Sequence, residues 1–322
     1  MKEENILEVK NLIKYFPAEK KLFRKTKKFI KAVDNITFTL KKGESLAIVG
    51  ESGCGKTTLA KTIIGLINKN SGEVKINNKN IFEVSKKERQ KIRTEVQMIF
   101  QDPYSSLDPM KRVKDIIGEA MIYHNIANKS NLEEKVIEVM ELCGLSKEYI
   151  NRYPKEFSGG QRQRIGIARA IALKPKIIIA DEPVSALDVS MQAQIINLMI
   201  ELQENTGMSY LFISHDLALV KYIANRVAVM YLGSIVEIGD KNLIYKNTKH
   251  PYTIALMESV PIMHPRERRK KEVIKGEASA KSESQKGCKF SERCKYSKDI
   301  CKEKEPILRE VEKNHFVACH RY

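Results

Sequence analysis

A chain of 322 residues, 42% hydrophobic and 30% charged, has a globular composition that suits one large domain with an appendage and excludes a wholly disordered protein. No run of eighteen or more apolar residues occurs, and the opening MKEENILEVK lacks the apolar core of a secretory signal, which predicts a cytoplasmic chain without a membrane span. The formal charge of +17 is spread along the chain, and its two dense clusters, KKLFRKTKKFIK (20–31) and PRERRKK (265–271), lack aromatic spacing, so no nucleic-acid partner is expected.

Residues 6–49 alternate β-rich runs (LEVKNLIKYF, FIKAVDNITFTL, ESLAIVG) with turn residues such as KKG at 41–43, predicting a strand-rich opening that ends in a buried strand. That strand runs into GESGCGKT (50–57), a G-x-x-x-x-G-K-[ST] loop, and then into a helical pattern, KTTLAKTIIGLI. Across Gly50, Glu51, Ser52, Gly53, Cys54 and Gly55 the glycines let the backbone curl so that its N–H groups surround a β-phosphate. Lys56 then reaches the β and γ oxygens, the Thr57 hydroxyl is placed to ligate Mg²⁺, and the nucleotide-binding stretch runs on to Thr58. Further on, SGEVKINNKNI reads as a hairpin with Asn77 and Asn78 at its turn.

From about 108 the pattern changes to Glu/Lys-rich amphipathic stretches such as NLEEKVIEVMELCGL, predicting a helical subdomain over about 108–170. It ends in YPKEFSGGQRQRIGIARA, where Ser158, Gly159, Gly160 and Gln161 form a turn opening a helix, a second place where free backbone N–H groups could hold an anion. Apolar runs at KIIIAD (176–181) and SYLFISH (209–215), with the helix MQAQIINLMIELQENTG between them, predict an α/β fold with a mainly parallel sheet. Asp181 falls at the sheet's C-terminal edge, positioned for Mg²⁺, and Glu182 comes next, where a carboxylate can orient an attacking water.

Beyond residue 250 the chain turns polar and basic, and KGEASAKSESQKG reads as a linker. The predicted domains are therefore 1–250 and a C-terminal extension over 251–322. Cys288, Cys294, Cys301 and Cys319 form a C-x5-C-x6-C-x17-C set without the Cys-x2-Cys pairs of a zinc ribbon. In a reducing compartment four thiols suit a metal site better than disulfides. Cys54 and Cys143 read as packing residues.

The order loop, Gln, SGGQ, Asp-Glu, SALD, His resembles that of ABC-type ATPases, and the resemblance covers roughly residues 6–240. Phe157 stands where that family's signature usually has Leu. By resemblance, Gln101 in IFQDP is the glutamine that contacts Mg²⁺ and water, Asp188 belongs to the D-loop SALD (185–188), and His215 contacts the γ-phosphate. Phe16 stacks on adenine, with Tyr15 as the rival. The resemblance also implies a small antiparallel N-terminal β subdomain and two ATPase domains packed head to tail, Ser158–Gln161 of one closing on ATP held by the loop of the other.

FQDPYSSLDPM, DEPVSALDVSMQAQIINLM and HPYTIALMESVP resemble the oligopeptide/dipeptide importer subfamily, and the basic insertion at 18–31 with Pro183-Val184-Ser185 resembles its F-type subunit. This likeness implies an ATP hydrolase at the cytoplasmic face of the membrane, paired with a D-type ATPase and two permeases and served by an extracytoplasmic peptide-binding protein. Importers of nickel chelates or sugars share much of this sequence. The tail resembles the subfamily's, which is associated with a [4Fe–4S] cluster, and the spacing leaves zinc open as the alternative. A non-transport ABC ATPase fits less well, because there is one ATPase unit and no long heptad run separates the loop from the acidic strand.

Overall fold

The computed structural model describes residues 4–18, 29–259 and 286–322. Most of the basic stretch at 20–31, all of PRERRKK and most of the expected linker fall outside the described residues. The chain opens with β1 (Asn5–Pro17), β2 (Phe29–Lys41), β3 (Ser45–Val49), α1 (Lys56–Ile63), β4 (Ser71–Ile76), β5 (Lys79–Asn80), α2 (Lys86–Glu95) and β6 (Val96–Ile99). Next come α3 (Pro103–Ser106), α4 (Val113–Tyr123), α5 (Leu132–Leu142), α6 (Gly159–Ile171), β7 (Ile177–Asp181), α7 (Val189–Thr206) and β8 (Ser209–Ser214). The remainder is α8 (Leu217–Ile223), β9 (Arg226–Tyr231), β10 (Ser234–Asp240), α9 (Lys241–Lys246), α10 (Pro251–Ser259), α11 (Asp299–Glu303), β11 (Arg309–Glu312) and β12 (His315–Val317).

Two compact units result, with described residues in the ranges 1–6, 40–45 and 79–214 for the first and 7–39, 46–78 and 215–322 for the second. In the first, β6, β7 and β8 are parallel, with Ile99 opposite Ala180 and Asp181 opposite Ile213. Every residue of β7 and β8 is buried, as continuous apolar runs in a sheet covered on both faces require. The predicted helices are present: α4 packs on both α5 and α6, and Arg164 Nη1 donates to the Cys143 carbonyl oxygen at 2.7 Å, tying α6 to the end of α5. Cys143 is buried, as a packing residue should be.

In the second unit β1, β2 and β4 lie in the order β2-β1-β4, with β1 antiparallel to β4 and Val9 opposite Val74. This is the antiparallel N-terminal sheet. Asn77 and Asn78 have φ of 47° and 64°, the left-handed pair a tight hairpin turn demands. A second sheet runs β11-β12-β10-β9-β3. Here β3 is parallel to β9, with Val49 opposite Val229, whereas β10 is antiparallel to both β9 and β12. The C-terminal tail therefore contributes strands to a sheet that also carries the phosphate loop.

Candidate functional site

The loop at 50–57 belongs to the second unit, and its shape is enforced by neighbouring backbone. β3 is buried at all five residues and delivers the chain to Gly50. Gly55 caps α1 at φ 108°, and a Cβ there would lie 1.9 Å from the Ala32 carbonyl oxygen and 2.8 Å from Met230 Cε, so only glycine fits. The Lys56 ammonium is buried and donates to the carbonyl oxygens of Gly50 at 2.8 Å and Glu51 at 3.1 Å. Thr57 and Thr58 lie half-buried in the first turn of α1, and Ser52 and Gly53 are exposed. Cys54 is buried and its thiol pushed up by that burial, while its carbonyl accepts from Gly233 N–H at 2.9 Å. A glycine-shaped cradle next to a buried ammonium is the donor set a nucleotide phosphate fits.

Two contacts on this loop were not foreseen. Glu51 N–H donates to Tyr252 Oη at 2.9 Å. The Glu51 carboxylate takes both arms of the Arg293 guanidinium, at 2.9 and 3.0 Å.

Of the two aromatic candidates for the adenine, Tyr15 has its polar groups bonded: its hydroxyl donates to Asp34 and its N–H to Asn70 Oδ1 at 2.8 Å. Burial, and then the bond to Asp34, push its phenol up. Against the opposing effect of its own burial, Lys289 holds the Asp34 carboxyl below its ordinary range, with its ammonium 2.8 Å away. Phe16 is half-buried, with the Lys14 ammonium 4.8 Å from its ring centre. His215 is exposed and stands just before Asp216, whose carboxylate caps α8 through Ala218 and Leu219 N–H.

The acidic residues belong to the first unit. Asp181 is buried at the last position of β7. Glu182 comes next at φ 47°, a left-handed conformation that costs a non-glycine residue about 1–3 kcal/mol. The surroundings hold it there: its N–H donates to the Ile213 carbonyl at 2.9 Å, and its own carbonyl accepts from Ser185 Oγ at 3.1 Å. Gln101 Nε2 donates to the Glu182 carboxylate at 3.2 Å, bringing together two residues far apart in sequence.

In the same unit Ser158 is the N-cap of α6 in a reciprocal capping box. Its Oγ accepts from Gln161 N–H at 3.3 Å, and Gln161 Oε1 accepts from Ser158 N–H at 3.0 Å. Phe157 is buried with its ring edge-on to Tyr149, 5.5 Å between centres. Asp188 caps α7, accepting from Ser190 Oγ at 2.7 Å and Met191 N–H at 2.9 Å. Gly160 and the start of α7 touch: a Cβ on Gly160 would lie 1.8 Å from Met191 Cε. Arg162 stacks on Tyr104, 3.9 Å to the ring centre, and Arg169 Nη1 donates to the Ser106 carbonyl at 2.6 Å, linking α6 to the short helix after Gln101. Neither arginine stood out in the sequence.

Cys288, Cys294, Cys301 and Cys319 line one small cavity in the second unit, beside His250 and Phe290. No disulfide is formed among the described residues. Burial pushes the Cys288 thiol up to about 11 and raises Cys294 and Cys319 as well. Among the described residues no group of three or more His, Cys, Asp or Glu side chains is set to hold a metal ion. His250, pushed down to about 4 by burial, is neutral at physiological pH, and its Nδ1 accepts from Tyr252 N–H at 3.1 Å.

The ABC transporter family description matches residues 33–185, and that of the oligopeptide/dipeptide transporter C-terminal region matches 236–301. A dimeric ATP-binding cassette in a post-hydrolysis state bound to ADP and Pi is 27% identical, with a TM-score of 0.64 over 73% of this chain and 98% of that one. The cbiO1 protein from Clostridium perfringens, part of the ABC transporter complex cbiONQ, is 26% identical, with a TM-score of 0.65 over 76% and 93%. The oligopeptide transport ATP-binding protein AppF of Bacillus subtilis is 50% identical over 99% of this chain and 98% of its own length. OppF of Haemophilus influenzae, of the same description, is 46% identical over 98% and 97%.

Fold and loops together define an ATP hydrolase of the ABC transporter class. Within that class the chain belongs to the family of oligopeptide and dipeptide transport ATP-binding proteins, along its whole length. Among the described residues no helix is long and apolar enough to cross a membrane.

Proposed function

We propose that this chain is the ATP-hydrolysing subunit that energises import of oligopeptides or dipeptides, working at the cytoplasmic face of the membrane against two permease subunits and fed by an extracytoplasmic binding protein. The observation that supports it best is full-length similarity to AppF, combined with two glycine-bearing helix starts in one chain. In this reading residues 1–250 are the ATPase domain, with the helical subdomain within it, and 251–322 the extension.

In the proposed mechanism the N–H groups of residues 50–58, apart from that of Glu51, which Tyr252 Oη holds, and the Lys56 ammonium bind the phosphates of ATP, and Phe16 stacks on its base. Thr57, Gln101 and Asp181 would hold Mg²⁺, which supplies neutralisation of charge at the β and γ oxygens. Glu182 orients and deprotonates the attacking water, with Gln101 fixing its carboxylate, and His215 donates to the γ-phosphate. Ser158, Gly159, Gly160 and Gln161, with Asp188 nearby, clamp the γ-phosphate held by a partner ATPase of the D type. ATP closes the pair, and loss of the bridging charge lets it open. In a strain deleted for this chain, uptake of a labelled tripeptide should fall to background and return with the wild-type chain but not with Lys56→Ala. Uptake unaffected by the deletion defeats the reading.

A [4Fe–4S] cluster at Cys288, Cys294, Cys301 and Cys319, with zinc as the alternative, is a second proposal, supported by the shared cavity alone. Anaerobic purification should give a brown protein with about four irons per chain. A colourless protein without iron rules out the cluster.

A further inference from the structure

The second residue of the phosphate loop is an acid, and it stands beside the seat of a polyanion. A carboxylate within a few ångströms of a phosphate opposes its binding, increasingly so as water is excluded. Glu51 is not left in that state. Arg293, one residue before Cys294, forms a two-armed pair with it at 2.9 and 3.0 Å. The guanidinium is nearly enclosed, its side chain 11% exposed. It also donates to Tyr231 Oη at 3.3 Å and lies 5.9 Å from the Phe290 ring centre.

Tyr231, Tyr252 and Phe290 pack as a trio, 4.5 to 5.4 Å between ring centres. Tyr252 Oη accepts the Glu51 N–H. Backbone and side chain of this one loop residue are thus held by groups from the C-terminal quarter of the chain. A planar fork fixes a carboxylate in direction as well as charge, which a lysine cannot do.

We propose that Arg293 is a positioning residue for nucleotide binding: it neutralises Glu51 and holds it turned away from the phosphates, so that the four-cysteine segment carrying Arg293 sets the affinity of the loop. The proposal rests on residues 50–57 being the nucleotide loop.

The test is equilibrium titration of the full chain with methylanthraniloyl-ATP in the presence of Mg²⁺, with the thermal midpoint recorded for each variant. Arg293→Ala should bind about tenfold more weakly, because it leaves the carboxylate unpaired. Arg293→Lys, which keeps the charge and loses the fork, should fall between it and wild type. The decisive variant is Glu51→Gln with Arg293→Ala, which removes the carboxylate as well and should recover most of the lost affinity. A purely structural role for Arg293 predicts no such recovery. Binding that is lost in Lys56→Ala but stays within twofold of wild type in Arg293→Ala overturns the proposal alone. Binding indifferent to Lys56→Ala overturns the loop assignment and the proposal with it. A double variant no better than Arg293→Ala also overturns it.

Discussion

Glu182→Gln is expected to cut ATP hydrolysis by about a hundredfold to ten-thousandfold, the span usual for removal of a general base, while ATP binding persists. The substitution is chosen by the geometry. Gln keeps the side-chain volume and an acceptor oxygen for the Gln101 amide, which donates to Glu182 at 3.2 Å. The left-handed backbone at φ 47° depends on the Ile213 and Ser185 contacts, not on carboxylate charge, so it should survive. What is lost is basicity, since an amide cannot take a proton from water at neutral pH. In the proposed head-to-tail pair, absence of hydrolysis leaves the bridging phosphate in place, so the variant should accumulate as an ATP-bound complex with the proposed partner ATPase, visible by size-exclusion chromatography. Phosphate release at the wild-type rate would remove Glu182 from the role of base.

The loop and its helix were legible because their chemistry is local: eight consecutive residues specify the turn, and the apolar strand before it supplies the setting. The Ser158–Gln161 turn opening a helix was legible for the same reason, and the structure adds the reciprocal capping box within it. The parallel strands could be read from continuous apolar runs, although α1 ends at Ile63, short of the periodic pattern that continued to Ile67. Periodicity alone does not locate a helix end when the next three residues, Ile64-Gly65-Leu66, leave the helical conformation.

The remainder was illegible because it is made by tertiary approach. Glu51 and Arg293 are separated by 242 positions and Glu51 and Tyr252 by 201, distances at which no spacing rule operates. The bond from Tyr15 to Asp34, which sets Tyr15 apart from Phe16, needs the two strands to be in place first. Glu182's conformation is invisible for a different reason. Propensity argues against a left-handed glutamate, and only the surrounding hydrogen bonds impose it.

Ser158→Arg should abolish turnover, about a hundredfold or more, while nucleotide binding to this chain's own loop stays within about twofold of wild type. The reason lies in the proposed head-to-tail pair, in which Ser158 to Gln161, opening α6, serve a partner's nucleotide and the loop at 50–57, opening α1, holds this chain's own. If the SGGQ turn serves a nucleotide bound by a partner, a bulky cation at position 158 blocks closure on that partner's γ-phosphate and leaves this chain's cradle untouched. Arg also removes the cap acceptor for Gln161 N–H, at a cost of about 1 kcal/mol to α6. Ser158→Asn, which retains an acceptor at the cap, separates the two effects. It should restore the thermal midpoint, so a shortfall in turnover that persists in a fully stable Asn variant reports on phosphate contact and not on the helix. The measurement is paired titration and hydrolysis on the chain reconstituted with the proposed partner ATPase. Loss of nucleotide binding to the isolated Ser158→Arg chain would show instead that the turn serves its own nucleotide, and the head-to-tail reading would fail.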